Sequence, residues 1–337
     1  MTPDARLDPP PGPLTRLVAW TAARLLPLPA LPPPRSGEIR RVLVVRTDER
    51  VGNALLTIPL VRALQRALPE ARIDLLLAAR QARVADGLPN LSILRFDKRR
   101  PWRLPPRASY DLVIDAAHWH AFSLTSALVS RWASSRWVVG AARGPASLYT
   151  ATVPPPPPGT PEAAAKVSLA AGLGLPALPA PPLETALGRR PLAFDLPPRF
   201  IALNPGARKP DHRWTEFAAL ARKLPLPAVI LWGPGELDLA SAIAAGSGAI
   251  LAPRTDLDQL AGILRRAAVV VTNDTGPMHL AAACDAPVVG LFLEERGLRW
   301  AHPGPRFRAV LRPTVDSVLA AVRELLDTAG AAQEPAP

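Results

Sequence analysis

Residues 40–46 (RRVLVVR) have an unbroken, Val-rich apolar centre, the pattern of a strand buried on both faces of a parallel sheet. A polar loop follows, and residues 54–69 then carry apolar positions at helical spacing and end in proline. Strands are predicted at 73–79, 92–96, 110–117 and 137–140, with helices near 81–86 and over 122–133. Strand alternates with helix, as in a doubly wound α/β domain. Residues 153–198 are rich in proline around one predicted helix near 163–173. A second alternation starts at 200–206 (FIALNPG) and runs through helix 215–224, strand 227–233, helices 237–245 and 257–267, strand 268–274, helix 276–285, strand 287–292 and helix 315–329. The expected organisation is therefore an extension at 1–38, a Rossmann-like domain at 39–185, a second at 186–329 and a frayed tail at 330–337.

Composition narrows this picture. Hydrophobic residues make up 48% of the 337, enough for two sizeable cores. The 43 prolines cluster at 8–34, 153–161, 176–198 and 303–313, which predicts linkers and stiff loops. The single cysteine, Cys284, excludes an intramolecular disulfide and any zinc site built on several cysteines, and suits a reducing cytoplasm. No window of about 18 apolar residues is free of charge, so no transmembrane span is expected. The acidic, proline-rich start is unlike a signal peptide. A formal net charge of +12 fits attraction to anionic substrates or lipid headgroups. Aromatics are 5% and do not alternate with basic residues, so nucleic acid is not an expected partner. Residues 14–26 (LTRLVAWTAARLL) form an amphipathic pattern with Leu14, Leu17, Val18, Ala22 and Leu25 on one face and Trp20 and Arg24 on its flank. Such a helix either lies on an anionic membrane or packs on the protein's own surface.

Four constellations carry candidate chemistry. In residues 269–292 a buried strand ends at Asn273-Asp274, and Thr275-Gly276-Pro277 opens a helix. Free N–H groups at such a helix start suit a phosphate, Asp274 and Thr275 can bond hydroxyls beside it, and His279 lies in the same first turn. The alternatives are an ordinary helix cap and a packed core histidine. In residues 202–217, Arg208, Lys209, His212 and Arg213 surround a turn before a helix; they can clamp a diphosphate or form a solvated charged turn. In residues 231–240, Gly233 and Gly235 follow a strand and Glu236 is placed to bond ribose hydroxyls; this is no G-x-G-x-x-G fingerprint, and an ordinary Gly-Pro turn reads the same way. In residues 44–59, Asp48, Glu49 and Asn53 occupy the loop after the first strand, where a carboxylate can act as general base on an acceptor hydroxyl or merely structure the loop. His118 and His120 sit on one side of an extended segment, but no third ligand follows close in sequence, so no metal is expected.

Together, residues 40–76 (RRVLVVRTDERVGNALLTIPLVRALQRALPEARIDLL), YDLVIDAAH, LNPGARKPDHRW and NDTGPMHLAAACDAPVVGLF resemble the family 9 glycosyltransferases, the ADP-heptose:lipopolysaccharide heptosyltransferases. The likeness spans about residues 40–312. It implies a GT-B fold, two Rossmann-like domains facing across a cleft. It implies an inverting, metal-independent transfer of a heptose or similar sugar from an ADP-sugar, a substrate and not a cofactor, to a lipopolysaccharide-core or related glycolipid or oligosaccharide acceptor, at the inner face of the cytoplasmic membrane. Asp274, Thr275, Gly276 and His279 match the donor-binding D-T-G-x-x-H. The turn at 208–213 matches the phosphate-contacting segment, with His212 where a lysine is usual, and Glu236 falls near an acidic residue used on the nucleoside. The departure is Gly52-Asn53 where the family reads Gly-Asp, its aspartate being the proposed base. An amide takes no proton at neutral pH. The expected replacement is Asp48, read as an exposed carboxylate, with Glu49 as fallback. Rival expectations are a silent homologue that binds nucleotide sugar or glycolipid, and a GT-B enzyme of another class such as a nucleotide-sugar epimerase.

Overall fold

The computed structural model describes residues 11–29, 31–100, 103–175, 177–208 and 212–331. The chain divides into two compact units, Met1–Pro182 and Leu183–Pro337.

In the first unit the elements run α1 (Pro13–Leu25), β1 (Arg41–Arg46), α2 (Val51–Leu55), α3 (Ile58–Ala67), β2 (Arg72–Ala78), β3 (Ser92–Phe96), β4 (Tyr110–Asp115), α4 (Leu124–Ala133), β5 (Ser134–Ala141), β6 (Ala151–Val153) and α5 (Glu162–Val167). The strands form one parallel sheet in the order β3-β2-β1-β4-β5-β6. Val44 sits opposite Leu75 of β2 and Ile114 of β4. The uninterrupted apolar run of β1 reflects that central position, with helices covering both faces.

Three predicted helices differ in detail. The run over 54–69 is two helices, parted at Leu56–Thr57, because Pro59 lacks an N–H and is tolerated only in the first turn of α3. The segment near 81–86 is a 3-10 turn, Gln81–Ala85. The 163–173 helix is α5 followed by a 3-10 turn over Ser168–Leu173, ended by Gly174 in the left-handed region at φ 69°. At the end of β4 the fully buried Asp115 accepts from Ser126 Oγ (2.6 Å), Tyr149 Oη (2.8 Å) and the Ala117 N–H (3.1 Å). Burial raises its carboxyl above the usual range, and these donors offset part of that cost.

The second unit contains β7 (Ile201–Asn204), α6 (Phe217–Ala221), β8 (Ala228–Ile230), α7 (Leu237–Ser247), β9 (Ile250–Leu251), α8 (Leu257–Arg266), β10 (Val269–Asn273), α9 (Gly276–Ala283), β11 (Val288–Phe292), β12 (Phe307–Leu311) and α10 (Val315–Ala331). Its parallel sheet runs β12-β11-β10-β7-β8-β9. Ile201, Leu203, Ile230, Val269, Val271 and Val289 point from the strands into a core closed by Phe217 of α6 and by Val318 and Val322 of α10. A capping box, Asp256 with Gln259, starts α8. The proline-rich 303–313 stretch, expected as a stiff loop, holds the edge strand β12; its prolines flank the strand rather than interrupt it. Both units thus have the strand order 3-2-1-4-5-6 of dinucleotide-binding folds.

One close approach stitches the second unit to its proline-rich entry. Gly188 has φ +74°, donates its N–H to Asp258 Oδ1 (2.9 Å), and lies so near α8 that a Cβ would overlap the backbone of Ala261 and Gly262. Gly235 has a similar φ of +79° but open space around it. Gly235→Ala is expected to lower stability by about 1 kcal/mol, the strain of a left-handed alanine. Gly188→Ala carries the same strain plus a backbone clash and is expected to lower the urea midpoint substantially further.

Candidate functional site

In the second unit the winding direction reverses between β7 and β10, the first and fourth strands of the sheet. At that point the loops leaving the two strand ends part, which leaves room for a ligand. Two amides lace the ends together. Asn204 Nδ2 donates to Thr272 Oγ1 (3.0 Å) and Thr275 Oγ1 (3.2 Å). Asn273 Nδ2 donates to the Pro205 carbonyl (2.8 Å), and its Oδ1 accepts from the Trp214 N–H (3.1 Å). Thr275 is the N-cap of α9 in extended conformation, yet its hydroxyl donates to the Asn273 carbonyl (3.2 Å) and makes no cap bond. Pro277 has no N–H and the Met278 N–H donates to the Thr275 carbonyl (3.1 Å), so the Gly276 N–H, with no side-chain cap, is the first-turn donor left to meet an anion.

Asp274 is partly buried beside this helix start. Burial pushes its carboxyl up to about 7, with the Arg299 guanidinium pulling the other way. His279 is buried, and its Nδ1 lies 2.9 Å from His302 Nε2; burial lowers His302 to about 4, so at neutral pH that ring is uncharged. Glu236 accepts the Gly233 N–H through Oε2 (2.9 Å), and its carboxylate fills the space that a Cβ at Gly206 would need. This packing sets the Glu236 carboxylate, from the loop after β8, directly against Gly206 in the loop after β7, and a side chain at 206 would push that carboxylate aside.

The basic turn is placed in part. Arg213 folds back to donate Nη2 to the Ala207 carbonyl (3.3 Å), and its Nε is buried without a hydrogen-bond partner among the described residues. Arg208 and His212 are exposed, and Lys209 lies outside the described residues. Asn204, Asn273, Arg299 and His302 were not singled out from sequence. The amides sit in motifs that drew attention to their neighbours, whereas His302 comes from a loop after β11 with no local signal.

The first unit has its own reversal, between β1 and β4, and there the strand ends are occupied by charge. The buried Arg46 ion-pairs with Asp48, donates to the Ala116 carbonyl (2.7 Å) and meets His118 Nε2. His118 Nδ1 in turn meets Glu162 Oε1. Lys166, fully buried, donates Nζ to the carbonyls of Ala116 (2.7 Å) and Ala117 (3.0 Å) and lies 3.4 Å from Glu162. Burial, followed by the Arg46 charge, lowers its ammonium to about 7. Asp48 also accepts from Asn53 Nδ2 (2.9 Å) and the Arg50 N–H (3.1 Å). It is therefore not the exposed carboxylate expected, but one held by a guanidinium and an amide. Asn53 is buried, and Glu49 is exposed with its carbonyl accepting from Gln81 Nε2 (3.0 Å).

A third candidate metal ligand does exist. His118, His120 and Glu162 place donor atoms within 4.8 Å of one another, the glutamate arriving from 44 residues downstream of His118. Arg46 and Lys166 already bind these same groups, and a divalent ion there would face two cations. The arrangement present is an ion-paired network.

These two strand-order reversals, with their polar loops, define a chain built from two Rossmann-like units, the architecture of GT-B glycosyltransferases. The family model for glycosyltransferase family 9 (heptosyltransferase) matches residues 103–317, and the chain belongs to that family. No curated protein sequence matches. Among solved structures, Escherichia coli heptosyltransferase WaaC with ADP is similar at 22% identity and a TM-score of 0.67, over 85% of this chain and 99% of that one. Escherichia coli ADP-heptose lipopolysaccharide heptosyltransferase II is similar at 21% identity and 0.66, over 86% and 99%. A family 9 glycosyl transferase from Veillonella parvula gives 16% and 0.67, over 86% and 97%. At these identities the likeness is one of fold. Among the described residues no helix is long and apolar enough to cross a membrane.

The raised carboxyl of Asp274 makes stability depend on pH. Its folded pKa of about 7 lies above the ordinary 3.8, so its contribution is fully present below the lower value and is lost as pH rises through the higher one. Asp274→Asn, which stays neutral, is expected to melt increasingly above the ligand-free wild type between pH 4 and pH 7, with the gap levelling off at higher pH. Differential scanning calorimetry across that range checks this.

Proposed function

We propose that this protein is an inverting, metal-independent glycosyltransferase that moves a heptose or a similar sugar from an ADP-sugar to a lipopolysaccharide-core or related glycan acceptor. The observation that carries the reading is the start of α9, with no side-chain cap, at the β7/β10 reversal, with Asp274 beside it and the Trp214 N–H bonded to Asn273 so that Arg213 lies next to the end of β10. It is supported by related structures solved with ADP and with ADP-2-deoxy-2-fluoro heptose. In this reading the Gly276 N–H and the Thr275 hydroxyl receive the diphosphate. Arg213, with Arg208, Lys209 and His212 from the same turn, meets the charge that grows on it as the bond to the sugar breaks. Asp274 and His279 bond sugar or phosphate oxygens, and Glu236 takes hydroxyls of the nucleoside.

Transfer then needs an acceptor hydroxyl in line with the departing ADP and a group to receive its proton. The acceptor oxygen forms the new bond to the anomeric carbon, the old carbon–oxygen electron pair leaves with ADP, and the proton passes to a carboxylate. Asn53 cannot take it, so Asp48 is assigned the role, oriented by Asn53 Nδ2 and Arg46. No resident cofactor and no nucleic acid enter the scheme. A lipid-borne acceptor places the reaction at the cytoplasmic face of a membrane.

Calorimetric titration of ADP into Asp274→Ala and His279→Ala is expected to show affinity lowered about tenfold in each, the loss of roughly one hydrogen bond. Unchanged affinity in both folded variants would remove the donor site from this loop. For the chemical step, ADP release from ADP-heptose is measured with and without acceptor. Asp48→Asn is expected to lower kcat about 10²–10⁴-fold with donor KM near wild type. If Asn53→Asp instead raises turnover sharply while Asp48→Asn leaves it intact, Asp48 only structures the loop and the natural protein is a weakened enzyme.

A further inference from the structure

Helix α1 is mounted opposite to the usual way for a surface helix. Its small residue Ala19 is buried against Ala127, Val138, Leu148 and Tyr149 of the first unit, with Ala22 packed beside it. Its large apolar residues point outward: Leu14 is 74% exposed, Leu17 57%, Trp20 50% and Leu25 70%. Six of the eight large hydrophobic residues exposed among the described residues fall between Leu14 and Leu31. One polar residue, Thr21, interrupts the outer stripe, and its hydroxyl is already bonded to the Leu17 carbonyl (3.0 Å). The mounting is firm at the C-terminal end. Arg131 donates to the carbonyls of Leu26 (2.7 Å) and Ala23 (3.3 Å), and Arg107 to that of Leu25 (3.5 Å).

The flank of the stripe is cationic. No acidic residue occurs between positions 11 and 35. Arg24 lies over the Trp20 ring at 4.1 Å. A groove of about 680 Å³ runs between α1 and the turn at 143–147, lined by Arg16, Leu17, Trp20 and Arg143. The Nε and Nη2 atoms of Arg143 are buried and have no hydrogen-bond partner among the described residues. Arg143 as a whole is half-buried, and buried N–H groups without an acceptor are costly unless an anion reaches them.

We infer that α1 and this groove dock on an anionic phospholipid bilayer. Leu14, Leu17 and Leu25 enter the acyl boundary, Trp20 sits at headgroup level, and Arg16 and Arg143 hold a headgroup phosphate in the groove. Apolar insertion and basic attraction together are what durable interfacial binding requires. A second copy of the chain fits less well, because a two-fold contact through the same patch would bring its arginines face to face. The inference rests on the functional reading only for the idea of a lipid-borne acceptor, and its test uses no sugar donor or acceptor. Failure here is therefore distinguishable from failure of glycosyl transfer.

The full chain is floated with vesicles of phosphatidylcholine alone and with added phosphatidylglycerol, at low and high salt. Wild type is expected to float with the anionic vesicles, less so at high salt. The exposed-residue variant Leu14→Ser/Leu17→Ser/Leu25→Ser is expected to lose flotation while melting like wild type. Arg16→Gln/Arg24→Gln is expected to weaken binding roughly thirtyfold, and Arg143→Gln to weaken it as well. The inference is overturned if wild type stays with the unbound fraction, if the folded leucine variant floats as wild type does, or if flotation ignores both lipid charge and salt. It is equally overturned if light scattering shows a wild-type dimer that the leucine substitutions split while no vesicle is bound.

Discussion

Parallel strands cannot be joined by tight turns, so each strand must be followed by a crossover that returns the chain to the same edge. When six such strands are laid out as 3-2-1-4-5-6, the crossovers run one way for the first half and the other way for the second. Between strands one and four the two sets diverge, and backbone polar groups at those strand ends are left for a ligand or for side chains to satisfy. Both units obey this constraint, and Asp48, Asn53, Asp274, Thr275 and Gly276 all follow the strands that border it. β1 and β4 end at Arg46 and Asp115; β7 and β10 end at Asn204 and Asn273.

The two reversals resolve the same constraint differently. In the first unit the carbonyls of Ala116 and Ala117 are met by Arg46 and Lys166, and Asp48 and Glu162 balance those cations. Such a buried set is costly to assemble and strongly destabilised by the loss of any one partner. Asn53 fits this logic. Its amide donates to Asp48 (2.9 Å), whereas an aspartate at that position would set two carboxylates side by side. Asn53 and Asp48 are thus best read as a pair.

Much of the fold was legible because strand burial writes itself into composition. The Val-rich run at 40–46 and the run at 268–274 stand out as central strands, and they flank the reversal points. Short edge elements were not legible. The strands β6 and β9 have only three and two residues, too few for any periodicity, and β12 hides among prolines that lie just outside it. The loops after β7, β8 and β10 declared themselves through glycine, proline and capping residues after a strand. The Arg46–His118–Glu162–Lys166 network did not, since its members lie up to 120 positions apart and each alone reads as a surface charge or a core histidine.

The contrast between the two reversals also decides where an anion belongs. A phosphate near the first unit's strand ends would have to displace carboxylates already bound to Arg46 and Lys166. At the second unit the helix start has no side-chain cap, Arg213 Nε has no hydrogen-bond partner among the described residues, and the adjacent acid is Asp274, whose carboxyl is raised to about 7. A carboxyl so poised need not repel a phosphate. Holding its proton, it could donate a hydrogen bond to a phosphate or sugar oxygen of the proposed substrate, whose burial beside it would favour that neutral form further. The cost of burying Asp274, offset only in part by Arg299, is intelligible under the proposed function as preorganisation: the desolvation that weakens the fold would ready the loop for a charged ligand.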